Sequence, residues 1–429
     1  MSENNSNNYN NLIRTRAYFA YLIVVLILVE ILDTYATVIV GAFPSKIAEE
    51  FLSQYSENEQ NAIMALGASI ASVGAYLIFF NQYLSDKFGR KIMLVITVLG
   101  MATASLLMIL STNYFQYVIF VFLLNFFQLS DIWLIYINEE AKKDKRAFYT
   151  NILLIGGLTG AVIMVILRSI FITDTVSNWR AMLWFPIILG FPLALLIALT
   201  IKETKQYEIM KQEGKLREKK GKSFRQEVKE VFQTSNKKAY TAILVMSFIY
   251  GSSLVYLQLF EKYIADVGTL SQSQVTLIFV WSILAVFIAY GLNALLLDKI
   301  GRKPLLYVWA VLMPISVITW VLGALTQQAF ILVQIGYALT HVCYWGLLGV
   351  FRISTLELIP TEKRGTALGL RSLCNALGTT ATLLLSSMMI LFMGLGNTFI
   401  IFALTFVILI PLNYLYGVET KGIELSEIK

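Results

Sequence analysis

Five ionisable side chains lie inside long apolar stretches of the sequence: Glu30, Asp33, Asp131, His341 and Arg352. Charged groups are costly to place in a low-dielectric interior, so their presence there points to function. A carboxylate in such surroundings readily takes up a proton, because its charged form is poorly solvated. An arginine can bind an anion through two parallel hydrogen bonds. These residue types therefore predict a site that handles protons and anions.

The stretches that hold these side chains are long enough to cross a membrane. Of the 429 residues, 57% are hydrophobic and only 14% are charged, whereas a soluble chain carries about 25% charged residues. A helix needs about 20 apolar residues to cross a bilayer core. Runs of this kind predict an all-α membrane protein with twelve transmembrane helices: 18–43, 61–84, 92–111, 115–138, 148–172, 180–201, 239–263, 273–297, 305–325, 328–356, 366–392 and 395–417.

The predicted helices fall into two sets of six around a polar segment. We expect one six-helix bundle at 18–201, a linker at 202–238 that forms surface helices, and a second bundle at 239–417. Residues 1–17 are rich in Asn and are expected to be disordered, and residues 418–429 are expected to form a tail. The first apolar run is too long for a cleavable signal peptide, so we expect it to remain as a helix.

Lysine and arginine residues concentrate on one side of the predicted helices. The linker 202–238 holds twelve of them against six glutamates, and the loops at 85–91, 139–147, 298–304 and 357–365 also carry them. The loops between the other helix ends are nearly free of them. By the positive-inside rule, the linker and both termini are predicted to be cytoplasmic, in a multi-pass protein of the cell membrane.

Three charged motifs occur twice, in the same order, once in each half of the chain. The pairs are SDKFGRK (85–91) with LDKIGRK (297–303), E-x6-R at Glu139 and Arg146 with Glu357 and Arg364, and ETK (203–205) with ETKG (419–422). Because all three motifs recur in the second half at a similar offset, they indicate a duplicated six-helix unit. Parallel repeats of this kind are typical of transporters whose halves rock against each other.

With these motifs the sequence resembles the major facilitator superfamily, in the branch of sugar porters and organic-ion and metabolite porters. IYINEEA at 135–141 resembles the Tyr-x-x-Glu signature of that branch, and ELIPTEKRGTALGL at 357–370 resembles its loop between the tenth and eleventh helices. The resemblance covers essentially the whole chain. It implies two pseudo-symmetric six-helix bundles that expose a central site to each side of the membrane in turn.

The repeated loops are predicted to form a gate at the cytoplasmic face. Gly89 and Gly301 permit tight backbone conformations, and the loop arginines can form bidentate pairs with Glu139 or Glu357. Such pairs would lock the cytoplasmic ends of the two halves together; alternatively, they only pin the loops. The predicted gate residues are Asp86, Gly89, Arg90, Glu139, Arg146, Glu203, Asp298, Gly301, Arg302, Glu357, Arg364 and Glu419.

The intramembrane carboxylates are candidates for proton coupling. Asp33 occupies the position of an Asp in the first helix that, in the family it resembles, is linked to proton coupling. Asp131 in the fourth helix and Glu30, one turn before Asp33, are further candidates. A structural role, as partner of an arginine or of a helix end, is the alternative for Asp33.

Arg352 indicates what the substrate is. Sugar porters typically carry a Trp at this position, five residues before the loop Glu, and an arginine favours an anionic substrate. Alternatively, Arg352 pairs with Asp131 or reaches the gate. The seventh helix lacks the Gln-Gln-x-Ser-Gly pattern of sugar porters, which also argues against a sugar as substrate. Arg168, near the end of the fifth helix, is expected to extend to the membrane interface. The predicted substrate-binding residues are Arg352, Gln258, Tyr256, Tyr250 and His341, the last with helix packing as its alternative role.

Together these features predict a secondary active transporter. We expect it to move a small polar metabolite, an organic acid or other anion, by alternating access and proton symport. A sugar porter, working as symporter or facilitator, is the first alternative, and a non-transporting receptor of the same fold is the second. The expected partners are a small-molecule substrate, protons and the lipid bilayer, with the protein acting as a monomer. No enzymatic activity, cofactor, metal or nucleic acid is expected.

Overall fold

A computed structural model shows a protein built from long, closely packed helices. The gate residue Asp86, the carboxylate Asp131 and the side chain of Arg146 lie outside the described residues, and what was predicted for them stays a prediction. The same holds for the N-terminal residues 1–13. The structure describes residues 14–77, 84–85, 88–128, 132–141, 145–212, 224–234, 236–360 and 363–421.

Ten stretches of the described chain are long and apolar enough to cross a membrane. The last of them, Thr366–Tyr416, has 51 residues and would be about 77 Å long as one helix, more than twice the thickness of a bilayer core. It is broken at Gly394, whose φ is 76° and ψ 169°, so it forms two spans. The helix Glu57–Ser72, continued by the turn Val73–Leu77, adds the remaining span. The structure thus agrees with the twelve predicted helices.

The spans are numbered here in chain order, and spans 1–6 and 7–12 are called the first and second halves. The first half contains span 1 (Arg16–Ile39), span 2 (Glu57–Ser72), span 3 (Arg90–Ile109), span 4 (Tyr114–Phe127 and Ile132–Glu140), span 5 (Arg146–Gly157 and Thr159–Phe171) and span 6 (Trp184–Thr200). The second half contains span 7 (Lys237–Tyr250 and Leu254–Val267), span 8 (Gln272–Ile300), span 9 (Arg302–Gly323), span 10 (Ala329–Leu358), and spans 11 and 12 before and after Gly394 in Arg364–Leu404, with Leu409–Tyr416 ending span 12.

The two ends of the bundle differ in their short elements. At one end, called the basic face, spans 3 and 9 begin at Arg90 and Arg302, and the linker forms the surface helices Lys205–Gln212 and Phe224–Val231, as predicted. The other end is called the opposite face. There the short helix Pro44–Phe51 follows span 1.

The turn between spans 8 and 9 is set by a single glycine. Span 8 begins with a capping box, in which Ser271 and Gln274 satisfy each other's backbone N–H groups. It ends at Gly301, whose φ of 98° lies in a region that L side chains rarely adopt. Gly89, with a φ of 110°, precedes span 3 in the same way. Both repeated loops therefore place an arginine at the first position of the following helix.

The second half has an aromatic core. The ring of Phe260 stacks on that of Tyr337 with centroids 3.5 Å apart. The ring of Trp320 packs 5.3 Å from Phe260 and 5.2 Å from Phe399. All four side chains are fully buried. Because helices in a bilayer associate through packing rather than through escape from water, this core holds spans 7, 9, 10 and 12 together.

Candidate functional site

In the first half, Arg90 links the ends of three spans at the basic face. Its Nε and Nη2 atoms donate to Oε1 of Glu139 at 3.2 and 3.0 Å, and its Nη1 donates to the carbonyl of Ser85 at 3.0 Å. The carboxylate of Glu203 accepts the backbone N–H groups of Arg90 and Lys91 at 3.0 and 3.2 Å. Glu203, just after the end of span 6, is thereby hydrogen-bonded to the start of span 3.

The second half repeats this arrangement around Arg302. Its guanidinium binds Glu357 in a bidentate pair, with Nε to Oε2 at 2.9 Å and Nη2 to Oε1 at 2.6 Å, and contacts Asp298 at 3.2 Å. The carboxylate of Glu419 accepts the backbone N–H groups of Arg302 and Lys303, both at 3.0 Å. Glu357 lies at the end of span 10 and Glu419 follows span 12. Because both bind Arg302, the ends of spans 10 and 12 lie together at the basic face.

The predicted arginine–glutamate pairs at the basic face are therefore present, and each repeated loop is held within its own half. The described contacts of these two clusters do not join the halves, because the partners come from neighbouring spans of one bundle. The glycines have a specific role here: a Cβ at Gly89 or Gly301 would collide with the carboxylate of Glu203 or Glu419. Arg364 donates to the carbonyl of Ile359 at 3.1 Å, within its own loop.

Glu203 and Glu419 occupy equivalent positions, but their pKa values are shifted in opposite directions. Burial raises the pKa of Glu203 above its usual value, although three backbone N–H groups act the other way. Burial also acts to raise the pKa of Glu419, but hydrogen bonds from Arg302, Lys421 and Lys303 outweigh it and lower the pKa. Ionised Glu419 therefore stabilises the fold at neutral pH, and this contribution fades as the pH falls through its lowered value.

We expect Glu419→Gln to be more destabilising than Glu203→Gln at pH 7. The first change removes a favoured charge and is expected to cost about 1 kcal/mol, the upper range for exposed ion pairs. The second removes a charge that burial disfavours. Thermal unfolding of the two purified variants at pH 7 and near pH 4 measures this, and the difference should shrink at the lower pH. A greater loss for Glu203→Gln at pH 7 would contradict it.

At the opposite face, a buried ion pair joins the two halves. Arg168 of span 5 and Glu261 of span 7 both have 0% exposed side chains, and their Nη2 and Oε1 atoms are 3.4 Å apart. Arg168 also donates to the carbonyl of Ala42 at 2.8 Å and to Oε1 of Gln272 at 2.7 Å. Glu261 accepts both the N–H and the hydroxyl of Ser45, at 2.7 and 2.6 Å. Arg168 lies at the level of the loops of the opposite face, but its side chain is buried against a carboxylate of the other half and does not extend into solvent.

Other hydrogen bonds between the halves extend from this cluster. Asn61 donates to Asp266 at 2.8 Å at the opposite face. Deeper in the membrane, the hydroxyl of Ser69 in span 2 donates to the carbonyl of Thr380 in span 11 at 3.0 Å. Within the described part of the chain, the hydrogen bonds between halves run from the opposite face to about the middle of the membrane. This conformation is thus closed at the opposite face.

Arg352 lies closer to the basic face than the hydrogen bonds that join the halves in the described part of the chain. Its side chain is exposed, and it is six residues from the end of span 10, about 9 Å along the helix from the basic face. Farther in, the hydroxyl of Tyr250 donates to the carbonyl of Tyr344 at 3.0 Å, and the two rings stack with centroids 5.1 Å apart. Tyr290 of span 8 interacts electrostatically with both Arg352 and Glu30. An arginine of one half and a carboxylate of the other therefore approach the same tyrosine.

The two carboxylates of span 1 are buried, with 7% of Glu30 and 8% of Asp33 exposed. Glu30 packs against span 5 at Gly157, where a Cβ would collide with the glutamate side chain. Gly160, one turn on, similarly faces the backbone of Ile31. The glycines of span 5 thus allow span 1 to approach closely and fix where the carboxylate of Glu30 can lie.

The other predicted substrate residues lie elsewhere. His341 faces its own helix, with Nδ1 3.1 Å from the carbonyl of Tyr337, which agrees with its alternative packing role. Tyr256 packs edge-on against Phe399 in the aromatic core. Gln258 lines a small cavity toward the opposite face, beside Tyr114. The structure brings Tyr250, but neither Tyr256 nor Gln258, into the surroundings of Arg352.

Two residues of these sites were not predicted from the sequence. Glu261 and Arg371 each interrupt an apolar span, which is the signal that identified Arg352. In the sequence, Glu261 is followed directly by Lys262 near the end of an apolar run, and such a charged pair is typical of a solvent-exposed helix end. Arg371 follows Arg364 by two turns and looks like part of a basic loop. Their burial, 0% exposed for Glu261 and 3% for Arg371, becomes evident only in three dimensions.

Twelve spans in two halves that are joined at one face, with charged side chains in the interior, are the architecture of membrane transporters built from two repeats. The sequence matches the Major Facilitator Superfamily over residues 23–351 and 263–425. The chain belongs to this family and is a multi-pass membrane protein. No curated protein sequence matches it.

Solved structures of transporters share the fold. A D-xylose–proton symporter is 17% identical and superposes with a TM-score of 0.77, over 95% of this chain and 99% of that one. The xylose transporter XylE from E. coli, in an inward-open conformation, is 20% identical with a TM-score of 0.75, over 95% and 98%. A bacterial homologue of the human lysosomal transporter Spinster is 14% identical with a TM-score of 0.68, over 94% and 98%.

Proposed function

We propose that the protein is a proton-coupled symporter that moves a small organic anion across the cell membrane. The observation that carries this proposal is Arg352, an exposed arginine inside the membrane region with no carboxylate in ion-pair contact among the described residues. A permanently charged guanidinium at this depth is stabilised by an anion that enters the cavity.

The basic face is proposed to be cytoplasmic. The linker and the loops that begin spans 3 and 9 carry most of the lysine and arginine residues, and such loops stay on the cytoplasmic side. The conformation described here is then open to the cytoplasm and closed to the outside by Arg168 and Glu261. Both termini lie on the cytoplasmic side in this orientation.

Proton coupling is assigned to the buried carboxylates of span 1. A proton taken up from outside neutralises Asp33 or Glu30, which lowers the cost of enclosing it when the halves close. The substrate anion binds Arg352 from the other side of the cavity. Glu30 and Arg352 share Tyr290 as a neighbour, so loss of the proton and departure of the anion can influence each other. Asp131 remains an additional candidate for the proton carrier.

The two clusters at the basic face are assigned to the gate. In this conformation they hold Arg90 and Arg302 within their own halves. When the basic face closes, the ends of spans 4 and 10 approach each other, and Glu139 and Glu357 come within reach of the other half. Each cluster thus keeps its own half rigid during the movement. When the basic face closes, the same cluster presents charged side chains to the other half.

Sugar transport is the second candidate, since two structures of similar fold are xylose transporters. A sugar hydroxyl both donates and accepts hydrogen bonds, whereas a guanidinium only donates. Arg352 therefore matches a carboxylate or phosphate better than a neutral sugar. The fold alone fits both substrates.

Uptake by purified protein in liposomes tests the proposal. With an inward-directed proton gradient (acidic outside) as the sole driving force, we expect a radiolabelled organic acid to accumulate and a hexose not to. One pH unit supports about tenfold accumulation for each coupled proton. Arg352→Gln should abolish this uptake, whereas Arg180→Gln, at the opposite face, should retain it. Accumulation of the hexose alone would favour the sugar porter.

A further inference from the structure

Arg371, on span 11, is a buried arginine with unused hydrogen-bond donors. Its side chain is 3% exposed, and its Nε and Nη1 atoms have no hydrogen-bond partner among the described residues. Its Nη2 donates only to the hydroxyl of the next residue, Ser372, at 3.2 Å. An arginine cannot lose its charge in a protein, so its burial without an anion is costly unless a ligand supplies one.

Arg371 belongs to the surroundings of Arg352. It lies seven residues into span 11, about 10 Å along that helix from the basic face, and Arg352 lies at nearly the same depth on span 10. The two guanidinium groups are close enough to repel each other, and both interact with Tyr250 and Tyr344. Two positive charges therefore lie at one level of the second half, one exposed and one buried.

The surrounding side chains supply little compensation. Among the described residues, the groups that interact electrostatically with Arg371 include Arg352, Cys374 and three tyrosines, Tyr240, Tyr250 and Tyr344. The hydroxyls of Tyr240 and Tyr250 already donate to the carbonyls of Ala367 and Tyr344. A tyrosine oxygen can still accept a hydrogen bond, but it cannot neutralise a cation.

We propose that Arg352 and Arg371 together bind a substrate that carries two negative charges, either a dicarboxylate or a phosphate monoester. This inference rests on the proposed anion transport and specifies its substrate class. A dianion neutralises both guanidinium groups and satisfies their donors, whereas a monoanion leaves one positive charge uncompensated in a low-dielectric site. Arg352 is reached first from the open cavity, and Arg371 holds the second charge in the wall behind it.

Binding to the purified full-length protein tests this. Trp345 packs against Tyr290 and Tyr344, at 5.9 and 5.2 Å between ring centroids, so its fluorescence reports on the site. The probes are succinate, glycerol 3-phosphate and lactate at pH 7. We expect the wild type to bind one of the two dianions at least about tenfold more tightly than lactate, the effect of one charged hydrogen-bonded pair. The two dianions distinguish a dicarboxylate site from a phosphate site.

The variants assign this preference to the arginine pair. Arg371→Gln should reduce the dianion-to-lactate affinity ratio to near one, and Arg352→Gln should do the same, so the test does not depend on the folding of one variant. Arg371→Lys keeps the charge and should keep most of the preference. Arg180→Gln, a matched change at the opposite face, should leave the ratio unchanged.

Several results would overturn the inference. If Arg371→Gln keeps the wild-type ratio but slows turnover of every substrate equally, Arg371 serves gate movement and not the substrate. If the wild type binds lactate as tightly as both dianions, the dianion assignment fails while anion transport stands. If it binds a hexose and none of the three anions, both this inference and the proposed function fail.

Discussion

Replacing Arg168 with methionine is expected to open the opposite face of the protein. The change leaves Glu261 charged and without its cation in a site that is fully buried in the closed conformation. Removing one partner of a buried ion pair costs about 3–5 kcal/mol, and Glu261 escapes this cost if the halves separate and water reaches it. A shift of that size corresponds to a change of more than about 100-fold in the ratio of closed to open forms.

Cysteine labelling measures this shift. Gln258 lies in the small cavity between the halves near the opposite face, so Gln258→Cys, in a background without Cys343 and Cys374, reports whether that face is open. We expect a membrane-impermeant maleimide to label the Arg168→Met protein much faster than the protein with Arg168 intact.

The controls separate a gate from general destabilisation. Glu261→Gln combined with Arg168→Met removes both charges and should bring labelling back toward the wild-type rate, because no unpaired charge then remains buried. Lys46→Met disrupts an exposed pair with Glu49 on the same face and should change little. A wild-type labelling rate in the Arg168→Met single variant would rule out the gate.

Asp33→Asn and Glu30→Gln are expected to uncouple transport from protons. Each removes a carboxylate that is more than nine-tenths buried and leaves a neutral side chain of nearly the same shape. If these carboxylates carry the proton, the variant that removes the carrier loses the tenfold accumulation that one pH unit supports. It should still exchange labelled for unlabelled substrate, because exchange requires no net proton movement.

The comparison of accumulation with exchange makes the test specific. Loss of both activities in either variant would indicate damage to the substrate site or to folding, and full accumulation in both variants would reject the assignment and leave Asp131 as the carrier. Glu49→Gln is the matched control, since that carboxylate is exposed at the opposite face.

The fold was largely predictable from the sequence because the bilayer imposes a simple length rule. Twelve apolar runs sufficed to predict the helices, and two copies of the glycine–arginine loop predicted that the loop arginines pair with Glu139 or Glu357. The sequence did not specify that each arginine binds the glutamate of its own half, as Arg90 does with Glu139 and Arg302 with Glu357. The one long element that contains two spans, Thr366–Tyr416, was also separable, because its length exceeds what the membrane accepts.

The site was less predictable because charge burial depends on contacts between distant segments. Arg168 and Glu261 are 93 residues apart in the chain, and neither carries a local signal that it pairs with the other half. Tyr256 and Gln258 share a span with Tyr250, yet they face the aromatic core and the opposite face. The direction of each side chain depends on how the helix is rotated, which apolar composition does not specify.

The clusters around Arg90 and Arg302 have a mechanical consequence. The described contacts of each cluster lie within one six-helix bundle, so a bundle can tilt as a rigid body without breaking them. Among the described residues, the buried ion pair that joins the halves lies at the opposite face, where Arg168 must leave Glu261 and both must meet water. The activation barrier for reorientation is thus asymmetric, and most of its electrostatic part is located at the opposite face.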